Sequence, residues 1–285
     1  MTNERWPVHG PWSDDPAPAA LPALAEAGYG PAAHDGSATA RRWWDAEAAG
    51  YLAEHGDALG DVAFTWGPEG LTEADAGALG DLTGARVLEV GAGSAPCARW
   101  LHREGVDVVA SDLSHAMLRA ALEANRRTGV DVPLVQADAL ALPFAAGSFD
   151  VVFTSYGVVP FVADAAALHR EVARVLRPGG RWAFSTTHPV RWAFPDDPGP
   201  GGLTATRSYF DADPYRELDA DGGVVYAEYH RTLAQHVADV TSAGLRITRL
   251  VEPTWQPGRE TWGGWSELRA RHLPGTLLLV AEREW

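Results

Sequence analysis

The 285-residue chain carries 38 acidic and 23 basic side chains, a formal net charge of −15, so its mean field repels a nucleic-acid backbone or an anionic membrane. A single cysteine, Cys97, excludes an internal disulfide and an all-cysteine metal site, and no metal is expected. Every basic residue is an arginine, which removes Schiff-base chemistry with pyridoxal phosphate and the lysine-dependent phosphate loop, since both need a primary amine. The pairs Arg41-Arg42 and Arg126-Arg127 read as solvated faces. The start, "MTNERWPVHG", lacks a basic segment leading into an apolar run, and no stretch is apolar for the length of a membrane span. A cytoplasmic protein is expected, and the Ala, Gly, Pro and Arg usage suits a GC-rich bacterial genome.

Residues 1–37 are rich in Pro, Ala and Gly without periodicity and predict an irregular arm, pinned at most by Trp6 and Trp12. Residues 38–83 predict a helical cover: a helix over 39–56 with Thr39 as N-cap and Gly56 as stop, then a second one in 71–80 between Thr72 and Gly80. From residue 84 the pattern becomes short apolar runs alternating with helical stretches. Strands are predicted at 86–90, 106–111, 132–136, 149–154 and 181–187, and helices at 95–104, 114–127 and 163–176, the last stopped by "RPGG". Runs such as "VDVVAS" and "FDVVFTS" suit strands buried on both faces, hence a mostly parallel sheet with right-handed crossovers. Residues 188–231 interrupt this rhythm and predict an inserted substrate lid whose Trp192, Phe194, Tyr209, Phe210, Tyr226 and Tyr229 need burial. A helix at 232–244 and strands at 245–253 and 276–283 complete a doubly wound α/β domain with a seven-stranded sheet, spanning 84–285.

In such a sheet ligands lie beyond the carboxyl ends of the strands. The first strand runs into "EVGAGSAP", where Gly91 and Gly93 match the first two glycines of a dinucleotide-binding turn while Pro96 occupies the place of the third. Asp112, about twenty residues on, can accept from ribose hydroxyls of any adenosine cofactor. Asp138, after the third strand, can accept from an adenine amine. Glu89 and Asp112 could also cap adjacent turns.

Five pieces in order, "VLEVGAGSA", "SDLSHAML", "QADALALPFAAGSFDVV", "TSYGVVPFV" and "VLRPGGRWAFST", resemble the class I S-adenosylmethionine (SAM)-dependent methyltransferases, in particular the small-molecule branch labelled type 11. The resemblance covers 84–187 closely. It implies the Rossmann-like methyltransferase fold and SAM as cofactor, with S-adenosylhomocysteine as product. It also implies that Glu89 and the backbone of Gly91 and Gly93 contact the methionine end, Asp112 the ribose and Leu113 one adenine face. Ala137, Asp138 and Ala139 would then frame the base, and Ser155 and Tyr156 the floor, though for Tyr156 ordinary packing is an equal alternative. The stretch "RRWWDAEAAGYLAEHG" resembles the family's N-terminal covering helix. Trp44, Tyr51 and His55 are its candidate cofactor contacts, against plain packing of Trp43 and Trp44; Trp66 is the candidate from "FTWGPEGL".

Methyl transfer to an oxygen or nitrogen, or less readily to carbon, needs positioning and, for a protonated acceptor, a base. His188 and His230 flank the predicted lid and are the candidate bases, each with the alternative of holding the lid backbone. Arg191 and Arg231 could bind an acceptor carboxylate. One cysteine cannot hold arsenite, and the charge disfavours nucleic acid, which leaves a small, partly apolar metabolite as acceptor. Rival readings are a SAM-binding module acting through protein contacts and a nicotinamide-dependent oxidoreductase. Twelve tryptophans make a homodimer an expectation, because aromatics are enriched at interfaces.

Overall fold

A computed structural model of the protein describes residues 20–31 and 36–284. Strand β1 (Leu24–Tyr29) and helices α1 (Gly36–Leu59) and α2 (Glu73–Ala76) precede the main alternation. This continues as β2 (Arg86–Val90), α3 (Pro96–Arg103), β3 (Asp107–Asp112), α4 (His115–Thr128), β4 (Leu134–Gln136), β5 (Phe149–Thr154), α5 (Ala165–Val175) and β6 (Leu176–Thr187). A hairpin of β7 (Tyr215–Asp219) and β8 (Val224–Glu228) follows, then α6 (Leu233–Ser242), β9 (Leu245–Val251), α7 (Glu267–Ala270) and β10 (Thr276–Arg283).

Seven strands form one sheet in the order β4-β3-β2-β5-β6-β10-β9. Neighbours from β4 to β6 are parallel, and β10 alone runs against both of its neighbours. Successive side chains point to opposite faces of a strand, which divides the apolar runs between two cores. Leu88, Val109, Val152 and Phe184 enter one, while Val87, Val108, Val151 and Ala183 enter the other. Both faces being covered, the strands need the continuous apolar runs that the sequence shows.

Several helices begin where side chains can satisfy open backbone N–H groups. Ser114 accepts from Met117 N at the head of α4, Asp164 from Ala167 N at α5, and Thr232 with Gln235 forms a capping box at α6. Thr72 caps α2 as expected. The stop differs: α2 ends at Gly77, whose φ of 55° supplies the left-handed cap before Gly80 is reached. Thr39 is no cap either, since α1 starts at Gly36 and buries Thr39 within its first turns. The helix passes through Gly56 and stops at Gly60, which has φ 70° and donates back to Gly56 O.

Two further differences concern the arm and the insert. Residues 24–29, expected to be irregular, form β1 and pair antiparallel with β7, so that β1-β7-β8 is a separate three-stranded sheet. Its tertiary partner lies far along the chain, beyond the reach of local pattern. Trp6 and Trp12 lie outside the described residues. In the insert, Trp192 is buried, whereas Phe210 is 80% exposed, because it lies in the irregular stretch before β7 with its ring edge-on to Tyr209. Among the described residues no helix is long and apolar enough to cross a membrane.

Candidate functional site

A cavity of about 370 Å³ opens at the carboxyl ends of β2, β3, β4 and β5 and is roofed by α1 and β8. All twelve residues expected to hold the cofactor line it. The glycine turn contributes Glu89, Gly91 and Gly93, and the next strand end Asp112 and Leu113. Ala137, Asp138 and Ala139 follow β4, Ser155 and Tyr156 follow β5, and α1 supplies Trp44 and Tyr51.

The turn needs its glycines for two reasons. Gly91 and Gly93 have φ of 66° and 55°, a region that costs side-chain-bearing residues energy. A Cβ on Gly91 would also overlap Val158, while one on Gly93 would meet nothing. Asp112 ties the turn down, its Oδ2 accepting from Gly93 N at 2.7 Å and its Oδ1 from Ser114 N at 2.8 Å. Glu89 Oε2 accepts from Ala98 N at 2.9 Å near the start of α3. Pro96 takes the first position of α3, where its missing N–H costs nothing.

Burial raises the pKa of both carboxyls, that of Glu89 to about 8 and that of Asp112 to about 6, despite their backbone hydrogen bonds. A carboxylate has more acceptor sites than these bonds use, and each of the two faces the cavity. Such a pair suits a ligand that brings hydroxyl and ammonium donors together with a positive charge.

The roof is aromatic. Trp44 stands edge-on to Tyr51 (5.3 Å between ring centroids) and to Phe161 (5.4 Å). Trp43 lies 4.5 Å from Tyr226, and His55 stacks on Trp262 at 4.1 Å. Burial pushes the Tyr51 hydroxyl up to about 12. Asp45 anchors this roof, accepting from Ser114 Oγ at 2.8 Å and Ala116 N at 3.0 Å at the start of α4, where the helix dipole favours a carboxylate. His55 supports the wall through Trp262 without lining the cavity itself. Trp66 is not part of the wall. It is fully buried and donates its ring N–H to Glu73 Oε2 at 2.8 Å, while Thr65 and Gly67 on either side line the cavity.

His188 and His230 do not line the cavity. The His188 ring accepts from Val190 N at 3.2 Å through Nδ1, which leaves Nε2 to donate to Glu252 at 3.0 Å. His230 Nε2 donates to Tyr209 O at 2.7 Å. Burial lowers the pKa of both. His188 ties the start of the insert to Glu252 just after β9, His230 holds Tyr209 and Trp192 within the insert, and neither is placed to take a proton from a molecule in the cavity. Arg231 is consumed by the carbonyls of Val159, Val162 and Ala163. Arg191 pairs with Asp196 at 3.2 Å and lies over Trp192.

The cavity wall also includes Phe161, Thr187, Glu228, Arg259 and Trp262, which motif reading did not single out. A signal for Glu228 did exist. In "VVYAE", residues 224, 226 and 228 share a strand face, so the tyrosine and the glutamate had to point the same way. Tyr156 is a separate case: its φ of 58° is rare for a bulky residue, and strain of this kind gathers at functional sites. Its N–H donates to Ser185 Oγ at 2.8 Å, and its hydroxyl oxygen lies 3.5 Å from that of Thr187.

Residues 88–184 match the family described as the methyltransferase domain. A solved S-adenosylmethionine-dependent methyltransferase from Mesorhizobium loti is 28% identical, covering 76% of this chain and all of its own, with a TM-score of 0.58. The protein carries a class I SAM-dependent methyltransferase domain. A second such structure, from Listeria monocytogenes, shares the fold at 21% identity and a TM-score of 0.56, over 84% of this chain and all of its own. Among curated relatives, the demethylmenaquinone methyltransferase of Beutenbergia cavernae is 42% identical over 116 residues, 41% of this chain and 46% of that protein. That of Mycolicibacterium paratuberculosis is 46% identical over 109 residues, 38% of this chain and 44% of its own. The matched segment thus spans less than half the length of either of these curated relatives.

Proposed function

We propose that the protein transfers a methyl group from SAM to an oxygen or nitrogen, or less readily a carbon, nucleophile of a small molecule. The observation that carries this reading is the convergence of Glu89, the Gly91–Gly93 turn, Asp112 and Asp138 on one cavity that continues beneath an aromatic roof. When bound, SAM supplies a methyl group on a positively charged sulfur that departs as a neutral thioether. Asp112 has acceptor capacity for ribose hydroxyls, Glu89 for the methionine end, and Asp138 for the adenine amine. Asp138 Oδ1 also accepts from Leu140 N at 2.9 Å, which sets the angle of its carboxylate. The rings of Trp44 and Tyr51 exclude water and offer π faces that favour a cation by about 0.5–2 kcal/mol.

With no histidine among the described residues of the wall, the protein's main contribution is to hold the acceptor in line in a dry pocket, an effect that can supply about 7–11 kcal/mol. A small-molecule acceptor is supported by the demethylmenaquinone methyltransferase relatives and by the apolar roof. Calorimetric titration tests the cofactor part: SAM and S-adenosylhomocysteine are expected to bind and NAD is not. Absence of heat with both sulfur compounds would overturn it. Transfer of radiolabel from methyl-labelled SAM to a metabolite panel then tests catalysis, and label remaining wholly in SAM with every member would favour a non-catalytic role.

A further inference from the structure

Beyond the cofactor wall, the cavity contains a second polar group of residues. Tyr226 and Glu228 leave β8 on the same face and both line the cavity, and the Tyr226 hydroxyl donates to Glu228 Oε1. Tyr156 and Thr187 line it as well, from the ends of β5 and β6. Four polar side chains from β8 and the ends of β5 and β6 therefore meet a roof made by Trp43, which lies 4.5 Å from Tyr226, and Phe161, 6.0 Å from it.

We infer that this group is the acceptor subsite and that it selects a neutral, planar aromatic compound bearing a hydroxyl, which donates its hydrogen bond to Glu228. The assignment rests on the methyl-transfer reading above. The rings of Trp43, Phe161 and Tyr226 bury a flat apolar body. One bond from Tyr226 uses a fraction of the acceptor capacity of the Glu228 carboxylate, so a substrate O–H can be held there. Tyrosine 226 itself stays protonated as a donor: burial first, and then the neighbouring carboxylate, hold its hydroxyl well above the usual range.

Charge argues against the other classes. An acceptor carboxylate or phosphate would meet Glu228 at close quarters, and like charges there cost affinity. A cationic acceptor would join Arg191, whose charge faces Glu228 from behind the wall, and the sulfonium of the cofactor. That would add a further positive charge beside the sulfonium and Arg191, whereas a neutral hydroxyl adds none.

The test uses the full chain loaded with S-adenosylhomocysteine and three probes of equal ring size: 1-naphthol, 1-naphthoate and 1-naphthylmethylammonium. Calorimetry is expected to show 1-naphthol binding at least about tenfold more tightly than the other two. In Glu228→Gln the affinity for 1-naphthol should fall about tenfold, the scale of one charge-assisted hydrogen bond, while that for 1-naphthoate rises and that for S-adenosylhomocysteine stays the same. The wild-type ranking reads the subsite even if the variant fails to fold. Equal binding of either charged probe, no binding of any probe, or an unchanged 1-naphthol affinity in the variant would overturn the inference. Failure of S-adenosylhomocysteine to bind would instead overturn the methyl-transfer reading and the inference together.

Discussion

The floor of the cavity comes from successive strand ends of one sheet, whereas its roof is gathered from α1, the Phe161 turn, β8 and the Trp262 loop. On the floor each functional residue follows an apolar strand and is oriented by local bonds, such as Asp112 to Gly93 N and Ser114 N. On the roof, rings far apart in sequence hold one another, as Trp43 does with Tyr226 and His55 with Trp262. The floor is therefore pre-organised by the core. The roof can loosen without unfolding the sheet, and that division can be broken at either side.

Leu88→Ala, in the fully buried centre of β2, should cost about 2–5 kcal/mol, seen as a lower denaturant midpoint; a change below 1 kcal/mol would mean that the sheet is not the stability core. Asp112→Ala should weaken SAM binding about ten- to a hundredfold, the range for hydrogen bonds to a charged group, as measured by calorimetry. If SAM binds the variant as tightly as wild type, the aspartate serves the turn alone.

The pH response divides the two cores in another way. Glu89 and Asp112 have pKa values raised to about 8 and about 6 in the folded chain, so the native state binds more protons than the unfolded one above the ordinary carboxylate range. Ligand-free stability should then fall as pH rises, by up to about 1.4 kcal/mol per pH unit for each group, Asp112 contributing up to about pH 6 and Glu89 from about 4.5 to about 8. Glu89→Gln should flatten that fall in urea melts taken across the range. In contrast, His169 and His236 are lowered to about 3, chiefly by burial. The unfolded chain binds their protons first, so stability is lost as pH drops below about 6.5, and His236→Phe should reduce that loss. Unchanged slopes in both variants would show that these groups are less buried than the structure has them.

The smallest effect is expected on the roof side. Tyr29 packs edge-on to Trp192 at 6.3 Å and Tyr215 at 5.7 Å and lies under Arg207. Tyr29→Ala should speed amide exchange in β1 and β7 while leaving β2 protected, with a change of no more than about 1.5 kcal/mol in global stability. Equal acceleration in both sheets would abolish the distinction between floor and roof.

The main sheet was legible because each of its signals is short-ranged. "RVLEV" and "TLLLVAER" lie at the observed positions of β2 and β10, since a run of apolar residues can be satisfied only between two covered faces. Ser114, Thr232 and Gly129 mark helix ends through bonds to their own backbone. The resemblance of the strand-end motifs placed ten residues, and that of the N-terminal helix two more, that share one cavity. Local signals erred where two competed, as between Gly77 and Gly80, or where a helix could outrun its glycine, as at Gly56.

Alternation, caps and glycine turns in the chain determined the doubly wound sheet and its strand ends, because their energetics are settled within a few residues. Tertiary structure alone decided that residues 24–29 complete the sheet of the insert, that His188 and His230 turn to backbone and Glu252, and that Tyr226 and Glu228 face the cavity. Each of those outcomes depends on a partner distant in sequence, and a histidine or a tyrosine offers the same donors and acceptors to a substrate as to a carbonyl. Which one it meets is chosen by the packing of the whole molecule.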